Sequence, residues 1–178
     1  KQLGRLVQNI NHSKKQRMFG WVGDDKGAIA PHLYADADFA GDVQSQKSTS
    51  GAHLNIEGPN TKFPIIGRSQ KQGCVATSTP EAEIVAGFAA YKNVYLPTVD
   101  LWEHLLPEGV QGYFHEDNQA MIQVTRTGKN PTMRHLPRVH RVSVAWLHER
   151  LGQHNERDPV HLVDTATDFM AADIYTKA

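Results

Sequence analysis

The stretch Leu33-Tyr34-Ala35-Asp36-Ala37-Asp38-Phe39-Ala40-Gly41 sets two carboxylates at the end of a short apolar run that a glycine turn closes. Leu33 to Ala35 reads as a strand bounded by turn residues, and similar runs flank it: Met18 to Val22, Ala52 to Ile56 and Phe63 to Ile66. Between them lie Gly23-Asp24-Asp25-Lys26-Gly27, Gly41-Asp42 and Gly58-Pro59-Asn60. Connections of turn length between successive strands imply an antiparallel meander.

Downstream the pattern becomes helical. Thr79-Pro80-Glu81 is a helix start, with a hydroxyl at the N-cap, Pro at the first helical position and a carboxylate near the positive end of the macrodipole. Ala82, Val85, Ala86 and Ala89 follow as one packed face. A second helix covers Val99 to Leu106 and stops before Pro107. Gly112 to His115 is a short strand leading into Glu116-Asp117-Asn118. A helix with Val139, Val142, Trp146 and Leu147 inward runs to Gly152, then Val160 to Val163 reads as a last strand and Asp168 to Thr176 as a last helix. The order βββ-α-α-β-α-β-α implies an α/β domain with a mixed sheet and helices against it. Residues 1–12 read as the end of a helix, with Leu3, Leu6, Val7 and Ile10 at the spacing of one buried face, and residues 13–178 as the domain.

The 178 residues suit one domain, and 19 basic against 19 acidic residues cancel to a formal charge of zero. Apolar residues at 39% and charged residues at 21% are close to globular averages, which argues against a disordered chain. No stretch approaches the roughly 20 apolar residues that span a bilayer, and the N-terminus lacks a signal-peptide run. Cys74 is the only cysteine, which excludes an internal disulfide and zinc sites built on paired thiolates; a reducing, intracellular compartment is expected. The chain does not begin with Met, which suggests a piece of a longer polyprotein. Charge is unevenly spread. From Asn118 to His148 there is no acid, while Arg126, Lys129, Arg134, Arg138 and Arg141 supply cations able to track phosphates.

Acids recur where elements end or begin: Asp36 and Asp38, Glu81 and Glu83, Asp117, and Asp173. Like charges cluster at a cost unless cations neutralise them. Hard oxygen ligands favour Mg²⁺ or Mn²⁺, and two such ions about 4 Å apart can clamp the attacking and leaving oxygens of phosphoryl hydrolysis. A strand places positions 36 and 38 on one face, so periodicity does not separate them. On a helix, Glu81 and Glu83 point about 200° apart and cannot both face one metal site.

Six blocks occur in order: Tyr34-Ala-Asp36-Ala-Asp38-Phe39-Ala-Gly41, Lys47-Ser-Thr-Ser-Gly51, Ser69-Gln-Lys71-Gln72, Ser78-Thr-Pro-Glu81-Ala-Glu83, Glu116-Asp117-Asn118-Gln119-Ala120 and Ala172-Asp173-Ile-Tyr-Thr176-Lys177. Together they resemble the ribonuclease H domain at the C-terminal end of copia-type retrotransposon polyproteins, over nearly the whole chain from about Arg5. The fold this implies is a ribonuclease H-like five-stranded mixed sheet, three antiparallel strands then two parallel, with helices on both faces. Residues 1–12 correspond to the tether from the upstream reverse transcriptase. The resemblance assigns the catalytic and metal-binding acids to Asp36, Glu83, Asp117 and Asp173. Glu81 is left to complement the helix dipole. Ser78, Asn118 and Gln119 match substrate-contacting positions, with Arg138 and Arg141 on phosphates. A helix cap is the other reading of Asn118. His135 and His140 compete for the role of an auxiliary histidine. Gly67 stands where the family commonly has Trp, and the basic run before the penultimate helix reads Arg138-Val139-His140-Arg141, with its histidine shifted by one place.

The implied activity is endonucleolytic hydrolysis of the RNA strand of an RNA:DNA hybrid during reverse transcription, with two Mg²⁺ ions or Mn²⁺ in their place. The implied partners are the hybrid and the upstream reverse transcriptase. The implied location is a cytoplasmic virus-like particle or the nucleus. A catalytically silent hybrid-binding or structural module of the same fold is the alternative; loss of one of the four acids would favour it, and all four are present.

Overall fold

Alternation along Ala30–Asp38 (β1) sends Leu33, Ala35 and Ala37 to one face and His32, Tyr34 and Asp36 to the other. In the computed structural model, which describes residues 2–105, 111–152 and 159–177, this strand is the centre of a five-stranded sheet. Its partners are β2 (Thr49–Gly58), β3 (Thr61–Lys71), β4 (Gly112–Glu116) and β5 (Val160–Asp164), in the spatial order β3-β2-β1-β4-β5. β1, β2 and β3 are antiparallel; β4 and β5 run parallel to β1 and to each other. The mixed sheet is as expected.

One face carries α2 (Thr79–Ala90) and α4 (Gln119–Thr127). Ser78 caps α2, its Oγ accepting the Glu81 N–H at 3.4 Å. Ala82, Ile84, Ala86 and Ala90 are buried, so this helix is apolar over most of its girth, as a helix sunk in a core must be. A π-helical turn, Tyr91–Tyr95, joins α2 to α3 (Leu96–Leu105), which starts three residues before the expected Val99. Pro97 has no N–H to continue an α ladder, and the wider turn lies just ahead of it. Leu106 and Pro107 lie outside the described residues. Leu33, Leu54, Ile84, Tyr91, Tyr95, Phe114, Met121, Leu136 and Leu147 form the main core. α4 follows β4 directly, in line with the cap reading of Asn118; Asn118 caps it and Gly128, at φ 66°, ends it.

Four expectations change. Met18 to Val22 is not a strand: Trp21 alone bridges to Lys62 on the edge of β3, and Met18, Phe19 and Val22 stay exposed. Residues 2–13 are helical (α1), yet Leu3, Leu6, Val7 and Ile10 are 49–73% exposed, so among the described residues nothing covers that face. The helix expected from Val139 to Gly152 is broken into α5 (Leu136–Val139), α6 (Val144–Leu147) and a π-helical turn, His148–Gly152. Arg141, at φ 57°, cannot belong to a right-handed helix, and Ser143 caps α6 afresh. Val142 and Leu147 are buried as expected, whereas Val139 is exposed. The last element is a pair of 3₁₀ turns, Thr167–Phe169 and Ala171–Tyr175, because Met170 between them is extended and buries its side chain with Tyr34 and Ala172. This segment covers the second face of β1.

Candidate active site

β1 and β4 are parallel neighbours, and Tyr34 stands beside His115 in their register. Two residues further on, Asp36, near the carboxyl end of β1, and Asp117, just past the end of β4, come together. That is where the sheet switches from antiparallel to parallel pairing, and such crevices are where open α/β sheets bind ligands. Glu83 reaches the same place from the second turn of α2. Carboxylate oxygens of Asp36, Glu83 and Asp117 all lie within 4.8 Å of one another. Asp38 is not among them; its carboxylate turns back over Gly41.

Asp173 stands beside this trio rather than within it. Its own 3₁₀ turn is bound to Asp36, because the Thr176 hydroxyl donates to Asp36 Oδ2 and contacts the Asp173 carbonyl at 3.2 Å. Lys177 pairs with the Asp173 carboxylate. Gly51, opposite Asp36 on β2, makes this approach possible: a Cβ there would stand 2.7 Å from Thr176 Cγ2 and 2.8 Å from the Ala172 carbonyl. The Lys47–Gly51 and Ala172–Lys177 blocks are therefore two sides of one contact. Gly67 on β3 likewise leaves room for the Tyr175 ring.

Electrostatics mark the site. Burial, reinforced by Asp36 and Asp117, pushes Glu83 up to about 9. Burial and the charges of Asp173 and Asp117 also raise Asp36, against the Thr176 hydrogen bond. Glu116, fully buried on the core side of β4, is held well above the usual carboxylate range by burial first and by Glu83 next. Glu83 Oε2, Glu116 Oε2 and Asp173 Oδ1 are buried with no hydrogen-bond partner among the described residues. Buried acceptors in this state are rare and costly unless a cation completes them. An all-oxygen donor set suits Mg²⁺ or Mn²⁺. Glu116, the last residue of β4 and one before Asp117, was not singled out from the sequence.

The remaining residues are placed unevenly. Ser78 spends its hydroxyl on the α2 cap. Asn118 spends Oδ1 on the Met121 N–H at 3.0 Å, so the cap reading holds for it in this structure. Gln119 is exposed, its amide donating to both Asp164 oxygens at 2.8 Å. Arg138 and Arg141 are exposed on the acid-free segment. His135 and His140 both turn Nε2 to Glu81 Oε1, at 2.9 and 2.7 Å. Glu81 itself is a correction. It is wholly buried, and although burial works the other way, the Thr77 hydroxyl and amide and the two histidines hold it down at about 2. A residue with those partners does more than complement a helix dipole.

No family model matches the chain. A solved structure of the N-terminal RNase H domain of a Mycobacterium tuberculosis protein superposes with a TM-score of 0.50 at 11% identity, covering 84% of this chain and 91% of that one. The fold is that of ribonuclease H. RNase H1 from the archaeon Halobacterium salinarum gives a TM-score of 0.49 at 17% identity over 82% of this chain and 93% of its own. Among curated proteins, secreted RxLR effector protein 161 of Plasmopara viticola is 45% identical over 53 residues. The match covers 30% of this chain and 34% of the relative, so the chain spans about a third of that protein's length.

Proposed function

We propose that this chain is a phosphodiester hydrolase that cuts the RNA strand of RNA:DNA hybrids, and that it serves the reverse transcription of a copia-type retrotransposon. One observation carries the reading: three carboxylates within 4.8 Å of one another, with orphaned buried oxygens beside them, at the carboxyl edge of a sheet with the ribonuclease H fold. Asp36, Glu83 and Asp117 would hold the divalent ions, with Asp173 completing the set. Bound Mg²⁺, or Mn²⁺ in its place, supplies the positive charge on phosphate oxygens and the activation of water that carboxylates alone lack.

The protein's own residues prepare that chemistry. Thr176 fixes one oxygen of Asp36, and Lys177 balances Asp173, so the two acids furthest apart in sequence are oriented by one short segment. Gln119, exposed two residues after Asp117, would exchange its Asp164 contact for 2′-hydroxyls across the shallow minor groove; Asn118 holds the helix that presents it. Arg138 and Arg141 take phosphates. The two lysines of β3 are less available: Lys71 is paired with Asp42, and Lys62 stands 4.0 Å from Glu57. Residues 1–12 act as the tether to an upstream reverse transcriptase, within a cytoplasmic particle or the nucleus.

The test is cleavage of a hybrid labelled separately on each strand, with Mg²⁺ and with EDTA, for the wild type and Asp36→Asn. RNA-strand products that need both Mg²⁺ and Asp36 support the reading. Tight hybrid binding without cleavage points instead to a silent module, and neither binding nor cleavage removes the proposal.

A further inference from the structure

The Glu81 carboxylate receives four hydrogen bonds. The Thr77 N–H donates to Oε2 at 2.9 Å and the Thr77 hydroxyl joins it, while His135 and His140 donate through Nε2 to Oε1. A carboxylate offers about four acceptor positions, so this one is saturated, and both imidazoles donate to it through Nε2–H. Thr77 is local, but the histidines come from 54 and 59 residues away. The His140 side chain is only 2% exposed. A separate tether lies alongside, where the Cys74 thiol donates to the Val139 carbonyl at 3.2 Å. Directly after His140, Arg141 sits at φ 57°, a left-handed conformation that an arginine adopts only when its surroundings hold it there.

What these tethers hold is an exposed cationic segment with no acid in it: Arg134, Arg138 and Arg141 all face solvent. Glu81 precedes Glu83 by two residues, about 3 Å along the helix axis. Anchoring the segment on Glu81 therefore sets its distance from the acids through one rigid helix. We propose that Glu81 is a positioning residue: with His135 and His140 it forms a clasp that holds the arginines of residues 134–141 beside the acid cluster, where they meet hybrid phosphates. The inference rests on the nuclease reading above and adds how the substrate groove is kept in shape.

The clasp has a diagnostic substitution pattern. Glu81→Ala removes all four acceptor contacts. Glu81→Gln can replace them, since its oxygen still accepts from Thr77 and its two amide hydrogens can be donated to Nε2 of two neutral imidazoles once each carries its proton on Nδ1. Paired His135→Ala and His140→Ala open the clasp while leaving α2 intact. Two measurements are made on each variant whose circular dichroism matches the wild type. The first is the rate of tryptic cleavage after Arg134, Arg138 and Arg141, which reports local opening and needs no substrate. The second is the steady-state kinetics on hybrid across salt concentrations.

Glu81→Ala and the double histidine variant are expected to speed cleavage at those arginines at least tenfold. KM should rise about tenfold with kcat changed less than twofold, and the salt slope of binding should flatten by about two to three, one for each lost phosphate contact. Glu81→Gln should stay within about threefold of wild type on every count. Should Glu81→Ala fold poorly, the histidine pair carries the test alone. Unchanged tryptic rates in the opened variants overturn the clasp. Faster trypsin cleavage with wild-type KM and salt slope overturns its part in substrate binding. A wild type that neither binds nor cuts hybrid overturns the nuclease reading itself, a result the trypsin arm cannot produce.

Discussion

Glu83→Gln is expected to stabilise the protein in the absence of metal while abolishing cleavage. In the metal-free state burial, with Asp36 and Asp117 beside it, lifts the Glu83 carboxyl from 4.5 to about 9. The folded chain therefore holds this proton more tightly than the unfolded chain. Stability is complete below pH 4.5 and drains away as pH rises through the interval up to about 9. At pH 7 the chain is about 2.5 units into that interval, a loss of about 3 kcal/mol at 1.36 kcal/mol per unit. Glutamine has the same shape and never ionises, so it escapes the loss. For a domain of this size that corresponds to roughly 6–12 °C in Tm.

Thermal melts in EDTA between pH 5 and pH 8 should show a gap between variant and wild type that widens with pH. Adding Mg²⁺ should reverse the order, because an ion that binds only the folded wild type stabilises it by mass action and the variant has lost a ligand. A Glu83→Gln protein that melts below the wild type in EDTA at pH 7, with a gap independent of pH, would refute the electrostatic argument. It would also leave Glu83 as an ordinary structural acid.

Arg138→Ala combined with Arg141→Ala should weaken hybrid binding and flatten its salt slope by about two without changing which strand is cut, as filter binding at several salt concentrations would show. Gly51→Val should cost about 1–3 kcal/mol and most of the activity, since the new side chain meets the Ala172 carbonyl and Thr176 and lifts the closing turn from Asp36; melting and cleavage measured together would check it. Asn118→Ala should lose about 1 kcal/mol of stability with the α4 cap. Gln119→Ala should leave stability within about 0.5 kcal/mol and relax the preference for the RNA strand, read on the doubly labelled hybrid.

The sheet was legible because its signals are local. Leu33 to Ala35, Ala52 to Ile56 and Phe63 to Ile66 each alternate or run apolar between turn residues, and each lies inside an observed strand. The Ser78-Thr79-Pro80 start of α2 was legible to within one residue, the cap being Ser78 rather than Thr79. Met18 to Val22 misled because its composition suits a strand while, among the described residues, its only ladder partner is Lys62 on an edge. Residues 139–152 misled in another way. Their apolar spacing is helical, yet the tethers on Val139 and His140 and the left-handed Arg141 impose a break that helical periodicity does not register.

The same division separates the acids. Helical geometry shows that Glu81 and Glu83 diverge, but not what each one meets, because their partners lie far away in sequence. Asp36 and Asp117 approach Glu83 only through the parallel pairing of β1 with β4, and His135 and His140 approach Glu81 only through the path of the segment after α4. Two glutamates of the same helix are thus driven in opposite directions: four donors draw one down to about 2 against its burial, and burial with neighbouring carboxylates pushes the other up to about 9. An acid surrounded by donors is complete and can hold a structure together. An acid surrounded by acids is incomplete until a cation arrives, and that difference makes Glu83 the candidate for chemistry and Glu81 the candidate for architecture.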